Sequence, residues 1–392
     1  MAKRITSIFL ILVGATIAWS ILGATLLART QDSDSSQTAQ IGALWGPVQS
    51  QCAPEFTYLV DGAAQRLPLD SSRISVTLDL EPRRKGLLWY GTYRVGFTGS
   101  YRVINTGRQK HLTFKLTLPA DGAVYDDLGV MVDGRRVSSS TLGSVVSTTF
   151  LMPKGRTSAV TVTYNSQGIS RWSYQFGAGS NAIHNFALAM HTNFRMIDFP
   201  AETLAPTAER QASDGWDLNW NYRSLVSGYG IGMVMPEPLQ PGPLAQRITF
   251  WAPLSLLFYF FVLFILTTIR RIDLHPMNYF FLAAAFFSFH LLFAYTVDRI
   301  SIGVAFLICS IVSMFLTVTY LRLVVGLRFA AVEAALAQFF YLILFSLALF
   351  NEGFSGLAIT TGSILTLFVT MQLTARIDWG TIDTGKPKAR EA

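Results

Sequence analysis

The sequence predicts a membrane protein in three parts: an amino-terminal transmembrane anchor, an extracytoplasmic all-β, sandwich-like domain, and a carboxy-terminal bundle of five transmembrane α-helices. Two observations carry this prediction. The long apolar stretches of the 392-residue chain lie at its ends, one near the start and the others between Ile248 and Leu373. The polar region between them alternates apolar and polar positions with a period of two, the pattern of half-buried strands.

A spanning helix needs roughly 20 mostly apolar residues to cross about 30 Å of hydrocarbon. Ile5 to Ala28, Ile248 to Ile269, Tyr279 to Val297, Ser301 to Leu321, Phe329 to Phe350 and Leu357 to Ala375 all meet that length. The expected organisation is therefore an anchor over residues 1–28, a tether over 29–40, a β-rich domain over 41–235, a Pro-rich linker over 236–247, membrane helices over 248–375 and a tail over 376–392. The first stretch is expected to be a retained anchor. Its apolar run exceeds the roughly 7 to 15 residues of a signal-peptide core, and Leu26-Leu27-Ala28-Arg29-Thr30 is a poor small-x-small cleavage site.

Orientation follows from Lys and Arg in short loops, which gather on the cytoplasmic side. With the amino terminus inside, the cytoplasmic segments hold Lys3, Arg4, Arg270, Arg271, Arg322, Arg328, Arg376, Lys386, Lys388 and Arg390, whereas the two short outer loops hold only Arg299. Both termini are then cytoplasmic and the β-domain lies outside. The formal net charge of +7 comes mostly from these cytoplasmic segments, so it reports topology and gives no reason to expect a nucleic-acid partner.

In the outer domain, one face of a strand is expected at each of several runs: Ile74-Val76-Leu78-Leu80, Tyr93-Val95-Phe97, Leu112-Phe114-Leu116-Leu118, Val160-Val162-Tyr164, Trp172-Tyr174-Phe176, Phe186-Leu188-Met190 and Leu218-Trp220-Tyr222. Turns are expected at Asn105 to Gly107, Asp121-Gly122, Asp133-Gly134, Asn165 to Gly168 and Gly177 to Gly179. Arg29 to Gln40 is polar enough for a flexible tether. Pro236, Pro238, Pro241 and Pro243 suit a stiff extended linker.

After Arg271, the run Leu274-His275-Pro276-Met277-Asn278-Tyr279 resembles the LHPMxY signature of the CreD-like inner-membrane protein family. Tyr320-Leu321 is similar to the family's YL at the end of the next span, and Arg376, Asp378 and Trp379 to its closing R-x-D-W. Weaker similarities lie at Trp45-Gly46-Pro47, at Arg84-Lys85-Gly86 with Tyr90, Tyr93 and Phe97, and from Gly215 to Trp220. The chain departs from the family in having a shorter outer domain. The resemblance implies an inner-membrane protein tied to envelope integrity, carbon-source-responsive regulation and altered tolerance to colicins or β-lactams, a family without an established biochemical activity.

Ionisable and amide groups inside spans are functional-site candidates by default. His290 and Gln338 fall at similar mid-membrane depth, and Glu333 lies nearer the cytoplasmic face, within reach of Arg322 or Arg328. One reading makes the three a proton or ion path; the plainer one makes them interhelical ties. Ser363, Thr366 and Thr370, with Ala330, Ala331, Ala334 and Ala335, read as close-packing faces. His275 and its neighbours are either a docking turn or a simple helix start, with Asp273 expected to pair with Arg270 or Arg271.

No nucleophile elbow, His-Glu-x-x-His, phosphate-binding glycine loop or Cys/His cluster is present in the sequence. His184 and His191 are an odd number of residues apart and so point to opposite faces of a strand. Cys52 and Cys309 fall in different parts and define no disulfide or metal site. The expectation is a non-enzymatic envelope integrity or stress-response protein, without cofactor, whose partners are the lipid bilayer and envelope proteins or a periplasmic ligand. A small proton- or ion-coupled transporter and a membrane-bound enzyme are the alternatives.

Overall fold

The computed structural model describes residues 2–177, 183–351, 353 and 355–375. The chain divides into two compact units: residues 1–33, 86–88 and 239–392 form a helical unit, and residues 34–85 and 89–238 a β-rich one. The expected tail and the Arg376, Asp378 and Trp379 motif lie outside the described residues, as do Ala178 and Gly179 of one expected turn.

Six helices are described: α1 Ala2–Trp45, α2 Pro241–Ile269, α3 Pro276–Thr296, α4 Ile302–Val325, α5 Phe329–Ala348 and α6 Ser355–Thr374. The first five are long and apolar enough to cross a membrane, and Ile359–Thr374 of α6 is a shorter apolar helix. In lipid, a helix satisfies all its backbone donors and acceptors internally, which is why apolar sequence of this length adopts it.

Two boundaries differ from expectation. Residues 29–40 were expected to form a flexible tether but continue α1, which runs on to Trp45. Nothing between Arg29 and Gln40 stops a helix; the stop is Gly46-Pro47, where Gly46 takes φ 147°. The expected extended linker also shortens, because α2 already begins at Pro241. Pro241 and Pro243 occupy its first turn, where a missing N–H leaves no bond unmade and φ is already set.

Helix α5 holds two π-helical stretches, Phe329–Ala334 and Phe339–Leu344, separated by one α-turn ending at Gln338. The core of the helical unit joins Trp19, Leu22 and Leu26 of α1 to Leu256, Tyr259 and Leu263 of α2, Phe286, Phe289 and Phe293 of α3, and Ala330 and Ala334 of α5. Gly242 N–H also donates to the Leu87 carbonyl at 3.2 Å, with Leu87 in the same core.

In the β-rich unit, an eight-stranded sheet has the spatial order Arg135–Arg136, Tyr125–Val132, Thr157–Ile169, Thr92–Ile104, Ser71–Leu80, Ile183–Thr192, Trp216–Leu225 and Ala208–Gln211. A five-stranded sheet runs Ser140–Leu142, Val145–Met152, Lys110–Thr117, Glu55–Val60, Ala63–Arg66. A three-stranded sheet places Arg171–Gln175 between Gln49–Cys52 and Ile231–Val234. Residues from all three share one core, which is the sandwich-like arrangement that alternation requires. Ile74, Val76 and Leu78 are buried while Arg73, Ser75 and Thr77 are exposed.

The expected turn at Asn165–Gly168 is instead the interior of strand Thr157–Ile169, paired along its whole length with Thr92–Ile104. A small residue is needed there for packing. A Cβ on Gly168 would lie 2.4 Å from the Tyr93 hydroxyl and 3.1 Å from the Pro47 carbonyl oxygen. Tyr93 is fully buried and donates to the Arg171 carbonyl at 2.8 Å, so it cannot retreat cheaply. Burial also raises the pKa of the Tyr93, Tyr101, Tyr164 and Tyr174 phenols and of the Cys52 thiol. Gly168→Ala is expected to destabilise the β-rich unit by about 1–3 kcal/mol, the usual cost of overpacking. Thermal unfolding of the detergent-purified protein checks this, and an unchanged midpoint would contradict it.

Candidate functional site

The run Leu274 to Tyr279 builds the α2–α3 junction one residue at a time. Arg271 turns the chain with φ 53°, and Leu274 is fully buried in the helical core. His275, extended as a residue before proline must be, caps α3: its Nδ1 accepts from the Met277 N–H at 3.2 Å. Pro276 is the first helical residue. Asn278 Oδ1 accepts from the Tyr320 hydroxyl at 2.7 Å, tying α3 to the Tyr320-Leu321 end of α4. Tyr279 is buried edge-on to Phe260 of α2, and its hydroxyl accepts from Arg4 Nη2 at 3.4 Å. Met277 is half exposed.

Arg4 therefore brings α1 into the junction. Its guanidinium also reaches Thr267 Oγ1 at 3.4 Å and Asp273 Oδ1 at 3.5 Å, and sits over the rings of Phe264 and Tyr279. Asp273 thus pairs with Arg4, whereas Arg270 or Arg271 was expected. Arg270, capping the end of α2 beside α5, holds both oxygens of Glu333 instead. Glu333 was expected to meet Arg322 or Arg328.

At the other end of the apolar span of α1, Arg29 donates to Asp298 Oδ2 and to the Ala294 carbonyl, both at 3.3 Å, and lies over the Tyr295 ring. Arg4 and Arg29 are about 25 residues apart, so at about 1.5 Å per residue they are separated by about 37 Å. That clears a hydrocarbon layer of about 30 Å. Midway, Trp19 is buried edge-on to Phe286, Phe287 and His290.

His290 is buried, with Nδ1 against the Phe286 carbonyl of its own helix at 3.2 Å and its ring among Trp19, Phe286 and Phe289. Gln338 Nε2 donates to Ser313 Oγ at 2.9 Å, and Ser313 Oγ donates to the Ala285 carbonyl at 2.7 Å, so one chain of bonds links α5, α4 and α3. Glu333 stands apart in its pair with Arg270, and among the described residues these bonds do not join the three candidates into a path. Ser255 of α2 donates to the Tyr341 carbonyl, and Tyr341 and Thr366 join α5 to α6 at 2.9 Å.

In the β-rich unit, the family-like positions are tight places in the fold. A Cβ on Gly46 would lie 2.0 Å from the Gln167 carbonyl oxygen, and one on Gly215 would lie 1.8 Å from that of Thr192. Trp45 carries the Arg83 guanidinium 3.7 Å from its ring centroid, and the buried Trp220 donates from Nε1 to the Leu204 carbonyl at 2.8 Å. Lys85 Nζ donates to Gln40 Oε1 at 2.6 Å and Arg84 lies over the Trp89 ring. Among the described residues, no group of three or more His, Cys, Asp or Glu is arranged to hold a metal ion, and Cys52 and Cys309 are free. His191 Nδ1 meets Asp217 Oδ1 at 2.8 Å while Arg210 Nη2 donates to Asp217 Oδ2 at 2.7 Å.

Fold and junction together define a multi-helix membrane protein that carries a β-rich domain. The model of the family described as inner membrane protein CreD matches residues 198–380, and over that stretch, which contains the Leu274–Tyr279 signature, the chain is CreD-like. No curated protein matches the chain. Among solved structures, a protein assigned to nutrient binding from Legionella pneumophila is 11% identical, covers 55% of this chain and 76% of its own, and gives a TM-score of 0.37. An M1 zinc metallopeptidase from Deinococcus radiodurans is 11% identical over 43% of this chain and 42% of its own, with a TM-score of 0.30. Leukotriene A4 hydrolase from Saccharomyces cerevisiae is 9% identical over 46% of this chain and 29% of its own, with a TM-score of 0.23. Likenesses this low carry no argument about function.

Sequence reasoning missed the two arginine clamps on α1, the Asn278–Tyr320 bond and the Ser313 relay. Arg4 and Arg29 were legible only as residues flanking a span, since a partner more than 200 residues away leaves no local pattern. Two outcomes follow from the geometry. Tyr320→Phe, which deletes only the hydroxyl bonded to Asn278, is expected to lower stability in detergent by about 1 kcal/mol; an unfolding midpoint equal to the parent's would contradict the tie. The Arg210 and His191 partners hold the Asp217 carboxyl below its ordinary value of 3.8. The contribution of Asp217 is then fully present above that value and is lost as pH falls through the lower folded value. The stability gap between the parent and Asp217→Asn should accordingly close on acidification, and a gap that widens would contradict the assignment.

Proposed function

We propose that this protein is a non-enzymatic component of a bacterial inner membrane that senses or buffers envelope stress through its β-rich domain, placed on the periplasmic side, with both termini in the cytoplasm. The observation that supports this most is the use made of the family signature. Leu274, His275, Pro276, Asn278 and Tyr279 cap, bury or tie helices, so the signature serves the scaffold that holds the domain at the membrane. The positive charge gathered at the loops on the Arg4 and Arg270 side fits the cytoplasmic assignment. Envelope proteins or a periplasmic ligand are the partners this reading calls for, and the β-rich unit offers the surface for them.

The alternative is a proton- or ion-coupled transporter, and one observation favours it. Trp19 Nε1, Tyr259 OH and Gln338 Oε1 are buried in the helical unit and meet no hydrogen-bond partner among the described residues, and such groups are costly in hydrocarbon. Against it, Gln338 and Ser313 are occupied in an interhelical chain and Glu333 is held by Arg270.

The two readings separate in one experiment. A phosphatase reporter active only outside the cytoplasm, inserted at the exposed Asp61-Gly62 turn, is expected to be active. His290→Leu and Gln338→Leu, at normal membrane abundance, are expected to leave β-lactam tolerance unchanged. An inactive reporter overturns the proposed topology, and loss of tolerance in both variants at parental abundance favours the transporter.

A further inference from the structure

Between α2, α5 and α6 lies a cleft of about 460 Å³, within the roughly 300–1,000 Å³ range of ligand pockets. Its lining runs from Leu266, Glu333 and Leu373 at one end to Leu349 and Ile359 at the other. The polarity along that line is lopsided. In the middle, the Tyr341 hydroxyl donates to Thr366 Oγ1, which itself donates to the Gly362 carbonyl, so these groups are already satisfied and offer little to a polar ligand. The remaining wall is aliphatic and aromatic. Among the described residues that line the cleft the one charged side chain is Glu333, whose carboxylate the half-exposed Arg270 guanidinium binds through Nε and Nη2, with the neighbouring Arg271 exposed. At the opposite end Arg247 Nη1 already donates to the Leu349 carbonyl at 3.3 Å.

A cavity of this kind suits an occupant with one anionic head and a long apolar tail. We propose that the cleft is a binding site for an anionic phospholipid, with one acyl chain lying between α5 and α6 and its phosphate at Arg270 and Arg271. The physical grounds are independent of the proposed cellular function and need only that the helices sit in lipid. An acyl chain fills a gap that would otherwise leave Leu336, Phe340 and Leu365 without packing partners on one side. Arg270 already neutralises Glu333, and Arg271 supplies a further positive charge, so the cluster at the mouth is net positive and draws a phosphate in place of a zwitterionic head.

Gly362 allows a clean test, because a Cβ there would meet nothing within 4 Å; Gly362→Phe projects a ring into the space. The full-length protein is purified in mild detergent and its bound phospholipid quantified by mass spectrometry. The parent is expected to retain phosphatidylglycerol or cardiolipin selectively. Gly362→Phe should reduce the retained lipid about tenfold, and Arg271→Gln, which removes the uncompensated positive charge at the mouth, should weaken the anionic preference about tenfold, the factor expected for losing a charge-assisted contact. As a second measurement needing no variant, the parent is reconstituted in phosphatidylcholine vesicles doped with phosphatidylglycerol bearing a photoreactive acyl chain. Crosslinks concentrated on peptides spanning residues 333–349 and 355–375 support the site. Crosslinks spread evenly over all the helices, or equal lipid retention by folded parent and Gly362→Phe, would overturn it.

Discussion

The helical unit depends on the apolar span of α1 being fixed at both ends. An isolated amino-terminal span gains nothing from hydrophobic attraction to its neighbours, since lipid tails are as apolar as leucine, so its place in a bundle must come from packing and polar contacts. Here it comes from Trp19 against aromatic rings of α3 and from two arginines spaced farther apart than a hydrocarbon layer is thick. Each arginine combines a carboxylate, a carbonyl or hydroxyl and an aromatic face. Screening limits what any one exposed ion pair contributes, but the geometry fixes the helix in height as well as in azimuth. Phe9, Leu10, Val13, Ile17 and Ile21 are left facing outward.

The signature at the α2–α3 junction extends the same logic. Its residues are ones whose backbone roles are hard to exchange: a cap, a proline where the helix can begin, and two side chains that reach neighbouring helices. A capped helix start and a side-chain tie between helices each satisfy groups that are costly to leave unpaired where they are partly buried, so a short run that solves several such problems together has structural value on its own. The matched stretch from residue 198 to 380 covers this junction and the end of the β-rich unit.

Much of the architecture was legible because two sequence signals are unambiguous. Strands that bury one face, such as Ser71–Leu80, declare themselves by alternation, and the spans by sheer apolar length. What was hidden had physical reasons. The segment after Ala28 looked like a tether because Ser, Gln and Asp favour exposure, yet composition does not stop a helix when neither proline nor a left-handed glycine intervenes before Gly46. Asn165 to Gly168 resembled a turn because glycine serves turns and close packing alike, and only the Tyr93 ring across the sheet tells them apart. Among the candidate polar residues, depth was readable but partners were not: Glu333 chose Arg270 because α2 and α5 are neighbours in space. Arg376, Asp378 and Trp379 lie outside the described residues.

The claim that α1 is a bundle helix immersed in lipid can be measured directly. Nitroxide labels placed singly from Phe9 to Leu26 in the reconstituted protein report oxygen accessibility, which is high in hydrocarbon and low inside packed protein. The account predicts oscillation with a period near 3.6 residues, with maxima at Phe9, Val13, Ile17 and Ile21 and minima at Trp19, Leu22 and Leu26. Uniformly high accessibility around the helix, as for an anchor adrift in the bilayer, or exposure to a water-soluble relaxant along its length, would contradict it.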